Sequence, residues 1–214
     1  MSTTLALLQR LFPAGRSLPD FAAALDRYAA GYGVDTPRRL AAFLAQTGHE
    51  STGLTRWVEV MTYSTAGRIL EVFGQSRHSA AIRPDEAPAL VRNPQALAER
   101  VYGLGNSRKA TELGNTQPGD GWRFRGRGLI QVTGRANVTR LAAAVGRSVD
   151  AMPDWLETPE GATVSALWFW QVNRLNRFAD GGDFEGLTRA INGGLNGIQD
   201  RRSRLLAAQQ ALGV

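Results

Sequence analysis

The chain has 214 residues, 43% of them hydrophobic, with 24 Gly and 9 Pro; it can bury a sizeable core as one large domain or two small lobes, which excludes a disordered or collagen-like chain. It has no cysteine, which excludes a disulfide framework, thiolate catalysis and cysteine-held metal. The formal charge is +6 and the pI about 10.6, with every basic residue but Lys109 an arginine; this balance suits an anionic partner such as nucleic acid, anionic lipid or a polyanionic wall, and equally an arginine-favouring genome.

Taken in order, the chain reads as mainly helical. The first apolar run, Leu5 to Leu8, is cut by Gln9 and Arg10, too short for a signal-peptide core or a membrane span. The chain is therefore expected to be made soluble, without stable membrane association. Residues 5–11 predict a short amphipathic helix ended by Pro13 and Gly15, and residues 20–30 a helix with Phe21, Leu25 and Tyr28 on one face. Thr36-Pro37 supplies an N-cap and a proline at the first helical position, opening a helix to Gly48. Ser64 can cap a helix to Phe73, residues 74–92 are irregular, and Asn93-Pro94 opens a helix to Tyr102. Residues 103–121, rich in Gly, Asn and Ser, predict a loop, and loops of that length are usually functional or mobile. Residues 137–145, 163–171, 184–191 and 199–212 predict further helices. No internal repeat or linker interrupts the chain, so residues 1–214 read as a single domain without a separate binding module.

The stretch Ala41 to Ser64 holds two glutamates in different settings. Glu50 follows an apolar helical run (Leu40, Phe43, Leu44) and precedes Ser51, Thr52 and Gly53, a helix-ending cluster. Glu59 shares one parity with Trp57, Met61 and Tyr63, a short strand-like pattern. On one continuous helix, nine residues at about 100° each would put the two carboxyls on opposite faces and roughly 13.5 Å apart along the axis. They converge only if the chain turns between them, which Gly53 permits. Two carboxyls flanking a sugar bond, one protonated and one ionised, are the usual equipment of a glycosidase. Glu50, at an apolar helix end, suits the acid, and Glu59, among Arg56, Thr62 and Ser64, suits the base. Two glutamates at this spacing also describe solvated surface charges.

Two further stretches are informative. In Trp122–Asn137, Gly126 and Gly128 flank Arg127 and let the backbone approach a ligand. Gln131 and Thr133 share a face if residues 129–133 are extended; the alternative is a glycine-rich turn before a helix. In Ile191–Arg202, two Asn residues beside glycines form either a polar sugar-binding loop or ordinary cap and turn chemistry. His49-Glu50 lacks the second histidine of a zinc protease helix, so no metal is expected, and His49 is expected to make a structural hydrogen bond. Trp168, Phe169 and Trp170 read as core. Trp57 and Tyr63 fit sugar stacking and core packing equally. No nucleic-acid reader motif is present, so nucleic acid is not expected as a partner.

Together the segments FLAQTGHESTG, VEVMTYS, FRGRGLIQVTGRAN, SALWFWQVNRLN and RAINGGLNGIQDRR, in that order, resemble the family 19 glycoside hydrolases, the chitinase-like group, and most closely their short phage-type endolysin branch. The resemblance runs from about Thr36 to the C-terminus. It implies a mainly α (α+β), lysozyme-like fold with a small β-hairpin element beside a deep substrate cleft, and a single catalytic domain with a larger helical lobe and a smaller one at roughly residues 64–120. It also implies inverting hydrolysis of β-1,4-linked N-acetylated sugars without metal or cofactor. By position, Glu50 matches the general acid, Glu59 the general base, and Thr133 a residue that holds the attacking water. Gln131, Asn137 and Asn192 match substrate-binding positions, and Tyr63 joins them as a stacking candidate. Arg201 falls where the family places an arginine tied to the base, after a shorter loop. The long insertion and disulfides of plant chitinases are missing, which puts an extended chitin-binding cleft in doubt. The expected substrate is the glycan strand of peptidoglycan, a polyanion suited to a +6 enzyme, with chitin or non-catalytic wall binding as alternatives. The expected setting is synthesis in a bacterial cytoplasm, release to the wall in the periplasm through a lesion made by a holin, and action as a monomer.

Overall fold

The computed structural model describes residues 3–214. In chain order the helices are α1 (Thr3–Leu11), α2 (Leu18–Tyr28), α3 (Pro37–Glu50), α4 (Ala66–Phe73), α5 (Ala87–Leu90), α6 (Pro94–Tyr102), α7 (Ser107–Leu113), α8 (Asp120–Arg123), α9 (Arg135–Val145), α10 (Met152–Glu157), α11 (Pro159–Val172), α12 (Asn176–Gly181), α13 (Phe184–Asn192) and α14 (Ile198–Leu212). Among the described residues, none of these helices is long and apolar enough to cross a membrane. The chain falls into two compact units: the first takes the chain up to Trp57 with Gly128–Gln131 and Trp155–Val214, the second Val58–Arg127 and Val132–Asp154.

In the first unit α3 is the central helix. The Thr36 hydroxyl accepts the Arg39 N–H at 3.2 Å and Pro37 opens the helix, as the sequence predicts. Every residue from Ala41 to Gly48 is buried. Its small residues let neighbours close in; a Cβ on Gly48 would stand 2.6 Å from the Phe12 ring. Trp170 of α11 is fully buried and meets Phe43 edge-on at 5.4 Å. Trp57, half-buried, meets Phe21 at 5.1 Å and donates its indole N–H to the Glu157 carbonyl at 2.8 Å, so it is a core residue. After Glu50 the chain turns sharply: Thr52, Gly53 and Leu54 all take left-handed φ, 53°, 68° and 59°. That conformation costs a non-glycine residue about 1–2 kcal/mol. The Ser51 hydroxyl braces the turn, donating to the Thr47 carbonyl at 2.7 Å and accepting the Leu54 N–H at 3.0 Å.

The second unit has its own core of Met61, Ile69, Phe73, Ile82, Leu97 and Val101. Here the structure departs from four expectations. Residues 74–92, expected to be irregular, contain the short α5. Thr65, not Ser64, caps α4, accepting the Arg68 N–H at 3.2 Å. The predicted loop at 103–121 contains α7, capped by Asn106 on the Lys109 N–H at 3.3 Å, and the short α8. The small β-hairpin shrinks to two antiparallel bridges that share Arg127, to Val58 and to Val132. Residues 128–131 are consumed by a turn, which leaves Val132 alone to pair, so residues 129–133 are not extended.

Candidate active site

Glu50 ends α3, one turn after Gln46, so both side chains leave the same face. The Arg201 guanidinium from α14, only 2% exposed, forks between them: Nη2 donates to Glu50 Oε1 and Nη1 to Gln46 Oε1, each at 2.5 Å. Its Nε reaches the Asn196 carbonyl at 3.2 Å. The chain continues inward, with Gln46 Nε2 donating to Thr188 Oγ1 at 2.9 Å and that hydroxyl to the Phe184 carbonyl at 2.9 Å. The Glu50 side chain is 27% exposed, so it is held from behind and open in front. Arg201 was expected to tie the base; it pairs with Glu50 instead, because α14 packs against α3. Next to it, His49 Nδ1 lies 2.7 Å from Asp200 Oδ2, which also accepts Arg204 Nε at 2.7 Å. Burial works to raise the Asp200 carboxyl, but Arg204 and His49 outweigh it and hold it below the usual range. Gly197, in left-handed conformation, leaves room for the His49 ring, 2.2 Å from where its Cβ would stand.

In the second unit Glu59 is fixed at both ends. Its N–H donates to the Gly126 carbonyl at 2.9 Å, and its Oε2 accepts the Gly126 N–H at 3.0 Å. The other oxygen, Oε1, accepts the Tyr102 hydroxyl at 2.7 Å. Burial, then the charge of Glu59, pushes the Tyr102 phenol far above its ordinary value, so it remains a donor. Tyr63 is pushed up by burial and then by Glu59, against Arg68, and its ring meets Phe73 edge-on at 5.6 Å.

The remaining candidates are placed less tellingly. Thr133 is half-buried just before α9. Asn137 is occupied by its own helix, donating to the Thr133 carbonyl at 2.8 Å and accepting from Arg140. Gln131 is exposed in the turn after Gly128 rather than in an extended segment. That glycine is needed for packing: with φ 93°, its Cβ would stand 2.4 Å from Ser165 Oγ. Asn192 reaches the carbonyls of Gly194 and Asn196 at 3.4 and 3.3 Å, closing the loop before α14. Tyr102, Gln46 and Thr188 were not among the sequence candidates. Gln46 carried a signal, its one-turn spacing from Glu50; Tyr102, 43 residues from Glu59, carried none. Among the described residues no group of three or more His, Asp or Glu side chains is arranged to hold a metal.

The chain is mainly helical, and Glu50 and Glu59 are each held by fixed partners and part-exposed. No protein-family model matches it, but a glycosyl hydrolase family 19 domain-containing protein of Haemophilus influenzae (strain ATCC 51907 / DSM 11121 / KW20 / Rd) is 37% identical over 163 residues, 75% of this chain and 74% of that protein. The chain belongs to glycoside hydrolase family 19. Its lysozyme-like fold is shared with a bacterial family 19 chitinase (TM-score 0.62, 20% identity, 100% of this chain and 96% of that one) and with chitinase C from Streptomyces griseus HUT6037 (TM-score 0.61, 20% identity, 99% and 93%). A class IV chitinase from Zea mays has a TM-score of 0.56 at 17% identity, over 98% and 90% of the two chains.

Proposed function

We propose that this glycoside hydrolase is a peptidoglycan-degrading endolysin that cuts β-1,4 bonds between N-acetylmuramic acid and N-acetylglucosamine with inversion. Glu50 is the general acid that protonates the glycosidic oxygen. Glu59 is the base that activates water, and Thr133 helps hold that water. Gln131, Asn137, Asn192 and Tyr63 are the candidates for sugar contacts along a substrate cleft, and no cofactor takes part. The observation that carries this reading is that each carboxylate is held by a fixed partner: Glu50 by the buried Arg201, and Glu59 by Tyr102 and the Gly126 N–H. Fixed carboxyls are what acid–base catalysis requires, since a misplacement of about 1 Å can cost on the order of 10²-fold. The net charge of +6 supports an anionic glycan over a neutral one. In this reading the enzyme is made in a bacterial cytoplasm, leaves through a holin lesion and works on the wall as a monomer.

The fold shared with three chitinases favours a second reading, hydrolysis of β-1,4-linked N-acetylglucosamine. Mass spectrometry of products from purified peptidoglycan and from chitin oligosaccharides decides between them. We expect peptidoglycan fragments with a hydrated reducing end; an anhydro end would make the enzyme a lytic transglycosylase. E50Q keeps the shape and removes the proton, so turnover should fall about 10²–10⁴-fold. Turnover near that of the wild type would overturn the role of Glu50.

A further inference from the structure

We propose that Tyr102 and Asn115 are positioning residues for the base, joining the carboxylate of Glu59 to the helix that follows Thr133 through one buried amide. The inference rests on the assignment of Glu59 as base and extends it to residues that hold that base in place.

Tyr102 is the last residue of α6, where a helix leaves carbonyls without intrahelical partners. Its carbonyl accepts Asn115 Nδ2 at 2.8 Å, while its hydroxyl donates to Glu59 Oε1 at 2.7 Å. Asn115 is 1% exposed. Its other side-chain atom, Oδ1, accepts the backbone N–H of Arg135 at 2.8 Å, and Arg135 is the first residue of α9, where N–H groups are likewise left over. A single asparagine therefore satisfies the orphan carbonyl of one helix and the orphan N–H of another. Arg135 is itself fixed, its guanidinium spanning both carboxylate oxygens of the buried Asp120 at 2.8 and 2.5 Å.

The consequence is geometric. The phenol holding one carboxylate oxygen of Glu59 and the segment carrying Thr133 are registered to each other through Asn115, so the base and the residue proposed to hold its water cannot drift separately. The Gly126 N–H holds the second oxygen at 3.0 Å, which leaves rotation of the carboxylate restrained on both sides. Burial and the charge of Glu59 hold the Tyr102 phenol above its ordinary value, so it is protonated and a donor at neutral pH.

The test is Y102F, which removes one oxygen and keeps the ring, measured on soluble glycan strands freed of peptide and on chitotetraose, alongside E59Q and the double variant. Removing a positioning bond should lower kcat about 10–100-fold with KM within about twofold, since the substrate-binding groups are untouched. In the E59Q background the same substitution should add almost nothing, because its effect passes through the missing carboxylate. An equal fall in both backgrounds would make Tyr102 a structural residue and overturn the inference, as would a change confined to KM. Y102F at wild-type kcat beside a crippled E59Q would overturn the positioning role and leave the base in place. An active E59Q would overturn the base itself.

Discussion

Arg201 and Arg202 are neighbours in sequence and opposites in energetics. Arg202 pairs with Glu185 where both side chains are exposed, 50% and 40%, and such pairs contribute about 0–1 kcal/mol because water screens them and both chains lose entropy. Arg201 is 2% exposed and every arm of its guanidinium has a protein partner, so deleting one acceptor leaves a desolvated charge unmatched. Q46L replaces the amide by a side chain of similar size and removes the acceptor of Nη1. It should destabilise the protein by about 1–3 kcal/mol or more, against less than about 1 kcal/mol for Arg202→Gln; urea midpoints of the two variants measure the difference. Equal effects would mean that the buried chain from Thr188 to Glu50 does not hold the helix end. Because Q46L frees one side of Arg201, it should also lower kcat on glycan strands through a less constrained Glu50.

At the scale of elements, the caps were the most legible feature. Thr36-Pro37 and Asn93-Pro94 both open helices where the sequence says they should, since a side-chain acceptor and a preset φ act locally. Thr158-Pro159 carries the same signature and opens α11, with the Thr158 hydroxyl on the Gly161 N–H at 3.0 Å, four residues before the predicted start. The β element was overread because alternation at Trp57, Glu59, Met61 and Tyr63 is a statement about faces, and here Trp57 and Met61 belong to separate cores. The loop at 103–121 was misread in the other direction, because its Gly and Asn residues are caps: Asn106 starts α7 and Gly114, with φ 68°, ends it. Glu50 and Glu59 stand out as candidates from local pattern and Arg201 enters through the family resemblance, whereas Tyr102 and Asn115 have no local signal. Tyr102 and Arg201 reach the two carboxylates, and Asn115 reaches Tyr102, only through tertiary packing. The Asp120–Arg135 pair at the ends of α8 and α9 makes this testable by pH. Burial tends to raise the Asp120 carboxyl, but Arg135 and the Gln117 and Thr116 N–H groups outweigh it and hold it low. A depressed folded value means the stabilisation is fully present above the unfolded carboxylate range, about pH 3.9, and is lost as pH falls through the lower folded value. D120N should therefore be less stable than wild type at neutral pH and show a shallower loss of stability below about pH 4. Parallel acid limbs in urea midpoints for the two proteins would remove Asp120 from that account.

At the scale of the whole molecule, net charge separates the two substrates that the fold alone leaves together. A charge of +6 does nothing for the chemical step, because acid and base act over a few ångströms. It acts on encounter, by raising the local concentration of enzyme at a polyanionic surface. That effect has a definite range: the Debye length falls from about 30 Å at 0.01 M salt to about 8 Å at 0.15 M. If peptidoglycan is the substrate, kcat/KM on purified sacculi should drop roughly tenfold or more across that interval, while kcat at saturation stays level. Chitotetraose carries no charge, so its hydrolysis by the same preparation should be flat in salt and supplies the internal control. A salt-independent rate on sacculi, together with faster cleavage of chitotetraose, would transfer the assignment to chitin. The salt series thus tests substrate class through long-range electrostatics, independently of the residues assigned to bond cleavage.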